Sequence, residues 1–237
     1  MKPDFPPLYA ILSADLLSSA STDYAAEFAV MLGNAGVGII QYRNKNATAR
    51  ALYEVSSRIS RALSALATNA GTSVRFIVND RADIACLAGA GGVHVGQDDL
   101  PVEDAREICT ETISERDAGE KSAAGTCRKF WVGISTHTLE QVRAAAATSA
   151  DYIAIGPIFA TTTKQHHEAV VGTDFIRQAR QLTTKPLVAI GGITVATAEE
   201  VFRAGADCIA VARDLICAPD PAARAAEYLA VAKNFRK

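Results

Sequence analysis

The sequence predicts an α/β fold, a single (β/α)8 TIM barrel over residues 1–237, on three observations. Short apolar, β-branched runs recur along the chain, and each is followed by a polar turn and a longer Ala-rich segment of helical period. Eight such units fit into 237 residues, close to the roughly 250 that a closed barrel takes. The turn that ends a helix and opens a strand is also reused, as Gly-Ala-Asp at 205–207, Ser-Ala-Asp at 149–151 and Gly-Ala-Gly at 89–91. An open sheet would need a different connection at its switch point, so this repetition favours closure.

Taken in order, the first unit pairs the apolar run at 8–12 with a helix at 23–33, and the second pairs 37–43 with 47–70. Strands at 74–79 and 92–95 lead into helices at 81–89 and 101–112. The fifth strand, 131–135, precedes a helix at 139–149 for which Thr138 supplies an N-cap hydroxyl. The sixth unit pairs 152–156 with 174–182, the seventh 187–190 with 196–204, and the eighth 208–212 with 221–235. Several of these helices run into glycine, a common C-terminal stop. One segment breaks the rhythm. Residues 111–129, rich in Ser, Gly, Glu and Lys, carry no core periodicity and are expected as a solvated insertion on the N-terminal face, away from chemistry.

Composition narrows the function classes. The 24 basic and 26 acidic residues nearly cancel, so no overall field points to nucleic acid or to an anionic membrane as a partner. The N-terminal apolar run is broken at Asp15, and neither a signal-peptide pattern nor about 20 consecutive apolar residues is present. The five cysteines are scattered, odd in number and lack a C-x-x-C pair, which argues against a disulfide framework or structural zinc and for a reducing cytoplasm. The sequence is compatible with a homo-oligomer without specifying one.

Barrel enzymes place their reactive groups at the C-terminal strand ends, and the unusual polar residues fall there. The second strand ends Gln41-Tyr42-Arg43-Asn44-Lys45, and period-two alternation turns Gln41, Arg43 and Lys45 toward the mouth. Cations crowded at a strand end are relieved by a bound anion or by an internal salt bridge to a barrel carboxylate. The next two strands end in Asn79-Asp80 and Gly96-Gln97-Asp98-Asp99. Neighbouring strands lie about 4.8 Å apart, so Asp80 and Asp99, or Asp98 in its place, can reach one hard cation such as Mg2+; the alternative is that each aspartate caps the helix after it.

The fifth strand ends Ser135-Thr136-His137-Thr138, which lacks the third partner and the strained elbow of a hydrolase, so Ser135 is expected to hydrogen-bond substrate and His137 to be structural. After the sixth strand, Gly156-Pro157-Ile158-Phe159 opens a loop with Thr161, Thr163 and Lys164, groups suited to phosphate. Gly191-Gly192 and Ala212-Arg213 then offer backbone N–H groups where this fold commonly grips a phosphate.

In their order and spacing these motifs resemble the thiamine phosphate synthase family, over about residues 8–233. The resemblance implies an enzyme that joins a hydroxymethyl-aminopyrimidine, carried as its diphosphate, to a phosphoethyl-thiazole, giving thiamine phosphate and pyrophosphate with Mg2+ as cofactor. It implies that Gln41, Arg43, Lys45, Asn79, Ser135 and Lys164 hold the pyrimidine diphosphate, with Arg43, Lys45, Ser135 and Lys164 in catalytic positions. Asp80 and Asp99 would bind the metal, and Thr161, Thr163, Gly192, Ala212 and Arg213 the thiazole phosphate. Departure of pyrophosphate would leave a pyrimidine-methyl cation for the thiazole nitrogen to capture, with no protein nucleophile. Three departures from the family pattern stand out: Arg213 replaces a small or hydroxyl residue, the 111–129 segment is long, and Gln165-His166-His167-Glu168 replaces an acidic, proline-containing stretch. Two other readings are a thiazole tautomerase of the related barrel family, which needs no diphosphate or metal, and a non-catalytic phosphate-binding barrel.

Overall fold

The structure is a computed structural model that describes residues 5–18, 21–71, 73–119, 129–161 and 169–235, with backbone alone at 70 and 111–119. Eight parallel strands close into a barrel in chain order: β1 (Leu8–Ser13), β2 (Ile39–Arg43), β3 (Arg75–Asn79), β4 (Gly92–Val95), β5 (Trp131–Thr136), β6 (Tyr152–Ile155), β7 (Leu187–Ile190) and β8 (Cys208–Val211). The ring around them is α1 (Thr22–Asn34), α2 (Ala49–Ala70), α3 (Ala82–Leu87), α4 (Val102–Gly119), α5 (Leu139–Ala147), α6 (Gly172–Leu182), α7 (Val195–Arg203), α8 (Arg213–Ile216) and α9 (Pro221–Lys233). The expected barrel and its element order are therefore found. A 3-10 turn at Ala14–Leu16 and the short α8 add to the expected elements.

Alternation along each strand separates two cores. Outward residues such as Leu8, Ile40, Val78, Val93 and Ile153 pack with the apolar stripes of the helices. Inward residues, among them Tyr9, Ile39, Ile77, Tyr152, Val188 and Cys208, fill the barrel itself. Phe5 closes its floor by stacking on Trp131 with ring centroids 5.1 Å apart. Gly133 on β5 is needed for this filling, since an added Cβ would lie 2.0 Å from Cζ of Tyr152. Burying a large ring of this kind stabilises the fold by roughly 3 kcal/mol.

The reused helix-to-strand turn has a definite job. Asp151, just before β6, accepts from the backbone N–H of Val132 at 2.8 Å and is bridged by Arg106 of α4 at 2.6 Å. Asp207, just before β8, accepts from the N–H of Leu187 at 2.9 Å and is bridged by Arg180 of α6 at 2.8 Å. Each aspartate thus ties the base of its strand to the preceding strand and to the helix before that one. Burial alone would raise the Asp151 carboxyl, but bonds from Lys129, Arg106 and the Val132 N–H outweigh it and hold it below the usual range.

Two expectations are corrected. Helix α4 continues past Thr112 to Gly119 and takes in the first half of the segment read as an insertion. Its Glu-, Arg- and Ala-containing sequence favours helix without an apolar stripe, and periodicity misses a helix of that kind. Residues 120–128 lie outside the described residues. The cysteine reading also fails for one pair: Cys86 and Cys109 form a disulfide with Cα atoms 5.5 Å apart. They sit on α3 and α4, neighbours in the helical ring, and a 23-residue separation does not reveal that two helix faces meet. Among the described residues, no helix is long and apolar enough to cross a membrane.

Candidate active site

The C-terminal ends of the strands form one mouth with two sides. On the β2–β4 side, Lys45 Nζ lies 2.6 Å from Asp80 Oδ2, so the salt bridge allowed by the sequence is present. Asp80 does not cap α3, whose N-cap is Arg81 with no side-chain bond. Its backbone is left-handed, with φ of 63°, a conformation uncommon outside glycine that aspartate and asparagine adopt more readily than other residues. Asp80 N–H is bonded to the carbonyl of His94 at 2.8 Å, which fixes that turn against β4. Asp99 Oδ2 accepts from Gly96 N–H at 2.7 Å and faces Asp80, whereas Asp98 is exposed. Burial raises the Asp80 carboxyl above its ordinary value; Lys45 opposes this, and the hydrogen bond and like charge of Asp99 add to it.

On the other side, a cavity of about 690 Å³ is lined by Arg43, His137, Thr161, Gly192, Ala212 and Arg213, among others. Arg43 reaches Ser13 Oγ at 3.4 Å and makes no ion pair among the described residues. Arg213 lines the cavity, and its neighbour Asp214 is occupied by Arg224 at 2.8 Å and by the Tyr228 hydroxyl at 2.6 Å. Gly192, at φ of 64°, lies so close to the β6 loop that an added Cβ would sit 2.4 Å from the Ala160 carbonyl oxygen. Thr163 and Lys164 lie outside the described residues. Asn79 is half-buried at the end of β3, beside Asp80.

Ser135 and His137 do not pair. His137 donates from Nδ1 to the Gly156 carbonyl at 2.6 Å, while Thr138 is the N-cap of α5 as expected and Gln141 completes a capping box with it. The partner of Ser135 Oγ is Nε2 of His94, at 2.9 Å. His94 leads on through Tyr152 and Tyr9 to Gln41, and none of these three was singled out by sequence. The available signal was inward alternation: His94 stands two residues before the β4 turn, on the face that points into the barrel. Burial drives both tyrosine hydroxyls well above their ordinary range, so each stays a neutral phenol with one proton.

A larger groove of about 880 Å³ lies outside the barrel along α1 and α2. Its charges are of both signs, Arg58 is bonded to Asp23 at 2.8 Å, and no strand end reaches it. The mouth is where Arg43, which makes no ion pair among the described residues, the Lys45–Asp80 pair, Asp99 and left-handed backbone coincide.

A family model described as "Thiamine monophosphate synthase" matches residues 8–215. The chain belongs to the thiamine monophosphate synthase family. The thiamine-phosphate synthase of Koribacter versatilis strain Ellin345 is 42% identical over 227 residues, covering 95% of both chains. That of Chloroflexus aurantiacus is 38% identical over 224 residues, covering 94% of this chain and 91% of its own. A solved thiamine phosphate pyrophosphorylase from Pyrococcus furiosus matches with a TM-score of 0.77 at 27% identity, over 98% of this chain and 97% of that one. For this member of the thiamine monophosphate synthase family, the Arg213 side chain adds a cation to the cavity wall.

Proposed function

We propose that the chain is a Mg2+-dependent transferase that makes thiamine phosphate from an aminopyrimidine diphosphate and a thiazole phosphate, releasing pyrophosphate. The observation that carries this reading is the meeting, at one barrel mouth, of Asp80, Asp99 and Lys45 with a cavity walled by Arg43. Family membership supports the same reaction.

The carboxylates fit a hard, oxygen-liganded cation. Two aspartates close enough to share a hydrogen bond, one of them raised by burial, are relieved by a dication between them. Mg2+ commonly takes one or two carboxylates and completes its shell with water and substrate phosphate, so no third acidic residue is required. When bound by Asp80 and Asp99, Mg2+ supplies positive charge to the departing diphosphate oxygens.

In the proposed mechanism Lys45 exchanges Asp80 for a diphosphate oxygen, and Arg43 and Lys164 contact the same group. The carbon–oxygen bond between the pyrimidine methylene and the diphosphate breaks, and its electron pair leaves with pyrophosphate. The thiazole nitrogen then gives its lone pair to the methylene carbon. Gln41, Asn79 and Ser135 hold the pyrimidine ring, while Thr161, Thr163, Gly192, Ala212 and Arg213 hold the thiazole phosphate. The chain's work is orientation and charge stabilisation, with no covalent intermediate on a side chain. Both substrates are phosphorylated and do not cross membranes unaided, so a cytoplasmic setting fits this role. The test is pyrophosphate release on mixing the purified protein with both substrates. Release that needs both of them and Mg2+ is expected, and its absence would refute the reading.

A further inference from the structure

Five side chains from five strands form one unbroken hydrogen-bond chain across the inside of the barrel. Gln41 Nε2 lies 2.7 Å from the Tyr9 hydroxyl, which lies 3.0 Å from the Tyr152 hydroxyl. Tyr152 lies 3.0 Å from Nδ1 of His94, and His94 Nε2 lies 2.9 Å from Ser135 Oγ. Only the two ends belong to the substrate site proposed above. The three middle residues are 2%, 0% and 8% exposed, for Tyr9, Tyr152 and His94 in turn.

Proton counting constrains the chain. Each phenol has one proton to donate, and a neutral imidazole has one N–H and one bare nitrogen. With the His94 ring neutral, as its burial at 8% exposure favours, the three middle groups supply three donors to the four bonds, and one end must supply the fourth. If both ends donated, a buried tyrosine proton would be left without an acceptor in the chain, because a neutral imidazole cannot accept on both nitrogens. If neither did, one bond would hold two acceptors. Two patterns remain, and they run in opposite directions.

In the first, Gln41 donates to Tyr9, Tyr9 to Tyr152, Tyr152 to His94 Nδ1, and His94 Nε2–H to Ser135. Gln41 then has its Oε1 acceptor free, and Ser135 keeps its own O–H to donate. In the second, Gln41 has its amide N–H groups free, and Ser135 offers lone pairs only. The structure places Nε2 of Gln41 on Tyr9, which is the first pattern. An acceptor and a hydroxyl donor complement the edge of an aminopyrimidine, which carries an exocyclic N–H donor next to a ring-nitrogen acceptor. The second pattern complements a pyrimidinone, whose edge has the opposite order.

We infer that Tyr9, Tyr152 and His94 are positioning residues that lock Gln41 as acceptor and Ser135 as donor, and so select an amino over an oxo pyrimidine. The inference rests on Gln41 and Ser135 binding the pyrimidine diphosphate. Its test is steady-state pyrophosphate release by wild type, Tyr152→Phe and Tyr9→Phe. Each variant keeps its ring and removes one hydroxyl, so either serves if the other fails to fold. The substrates are the aminopyrimidine diphosphate and its analogue with a carbonyl oxygen in place of the exocyclic amine. Wild type should prefer the amino compound strongly. In both variants the pyrimidine KM should rise about ten-fold, as expected for one hydrogen bond, and the amino preference should shrink by about the same factor. The thiazole phosphate KM should not move, whereas a merely structural loss would leave the amino preference intact. Variants that keep the wild-type pyrimidine KM and amino preference would overturn the role of the chain alone. A wild-type protein that releases no pyrophosphate would overturn the site assignment, and this inference with it.

Discussion

Replacing Asp80 by Asn should separate activity from stability. In the folded protein the Asp80 carboxyl is raised by burial, so above the unfolded value of 3.8 its ionised form opposes folding. An amide removes that cost. It also loses the bond to Lys45, but the Lys45 side chain is 52% exposed, and a screened pair of this kind contributes about 0–1 kcal/mol. The backbone adds little, because asparagine tolerates the left-handed φ of 63° about as well as aspartate does. The net change should stay within about 1 kcal/mol, or about 4 °C in Tm for a chain of this size. Turnover should fall about a hundred-fold or more, since a group that supports charge on the leaving oxygens is worth about 2.7–4 kcal/mol. Asp80→Ala should lose the same activity and about 1–2 kcal/mol more stability, because a Cβ without a polar tip is strained at that φ. The assays are pyrophosphate release across a Mg2+ titration and thermal unfolding of the same samples. Asp80→Asn with turnover within about five-fold of wild type and an unchanged Mg2+ dependence would refute the metal assignment. A fall in Tm beyond about 8 °C would show that Asp80 is there for the fold.

Arg213→Ser should raise the thiazole phosphate KM about ten-fold or more, the loss of one charged hydrogen bond, while the pyrimidine diphosphate KM holds; an unchanged thiazole KM would remove Arg213 from that site. Gly192→Ala should cost stability and turnover together, because its Cβ would lie 2.4 Å from the Ala160 carbonyl at a φ of 64°, and a variant with wild-type Tm and rate would contradict that packing. Asp151 is held below 3.8, so its stabilisation is complete above that value and lost as pH falls through the depressed folded one. Tm should therefore drop on acidification, and the Tm gap between wild type and Asp151→Asn should narrow below about pH 4; a constant gap would argue against the linkage.

The barrel was legible because each strand and helix announces itself locally. The period switches from two to about three and a half residues eight times, and every expected bound except the end of α4 falls within two residues of the observed one. The mouth was legible for a related reason: strand ends are fixed once strands are, so Arg43, Asp80, Asp99 and Arg213 could be placed there before their contacts were known. What stayed hidden depends on closure. His94 and Tyr152 are far apart in sequence and become partners only because β4, β5 and β6 curve round one interior. The Ser135–His137 spacing was rightly set aside, since consecutive odd positions share a face only while the strand lasts and β5 ends at Thr136, but nothing local named His94 as the partner of Ser135. The Cys86–Cys109 bond was hidden in the same way, behind the packing of α3 on α4.

Helix α4 carries both kinds of fastening found in this barrel. Cys109 ties it covalently to α3, while Arg106, one turn away on the same helix, ties it by charge to Asp151 at the foot of β6. The two links answer to different conditions. A thiol reductant that reached the first would remove the covalent tie to α3, leaving the packing of the two helices and the ionic link in place. Acid would release the second and leave the covalent one. Neither link touches the strand ends where Asp80 and Asp99 sit, so the loops above can diversify without loosening the base on which they stand.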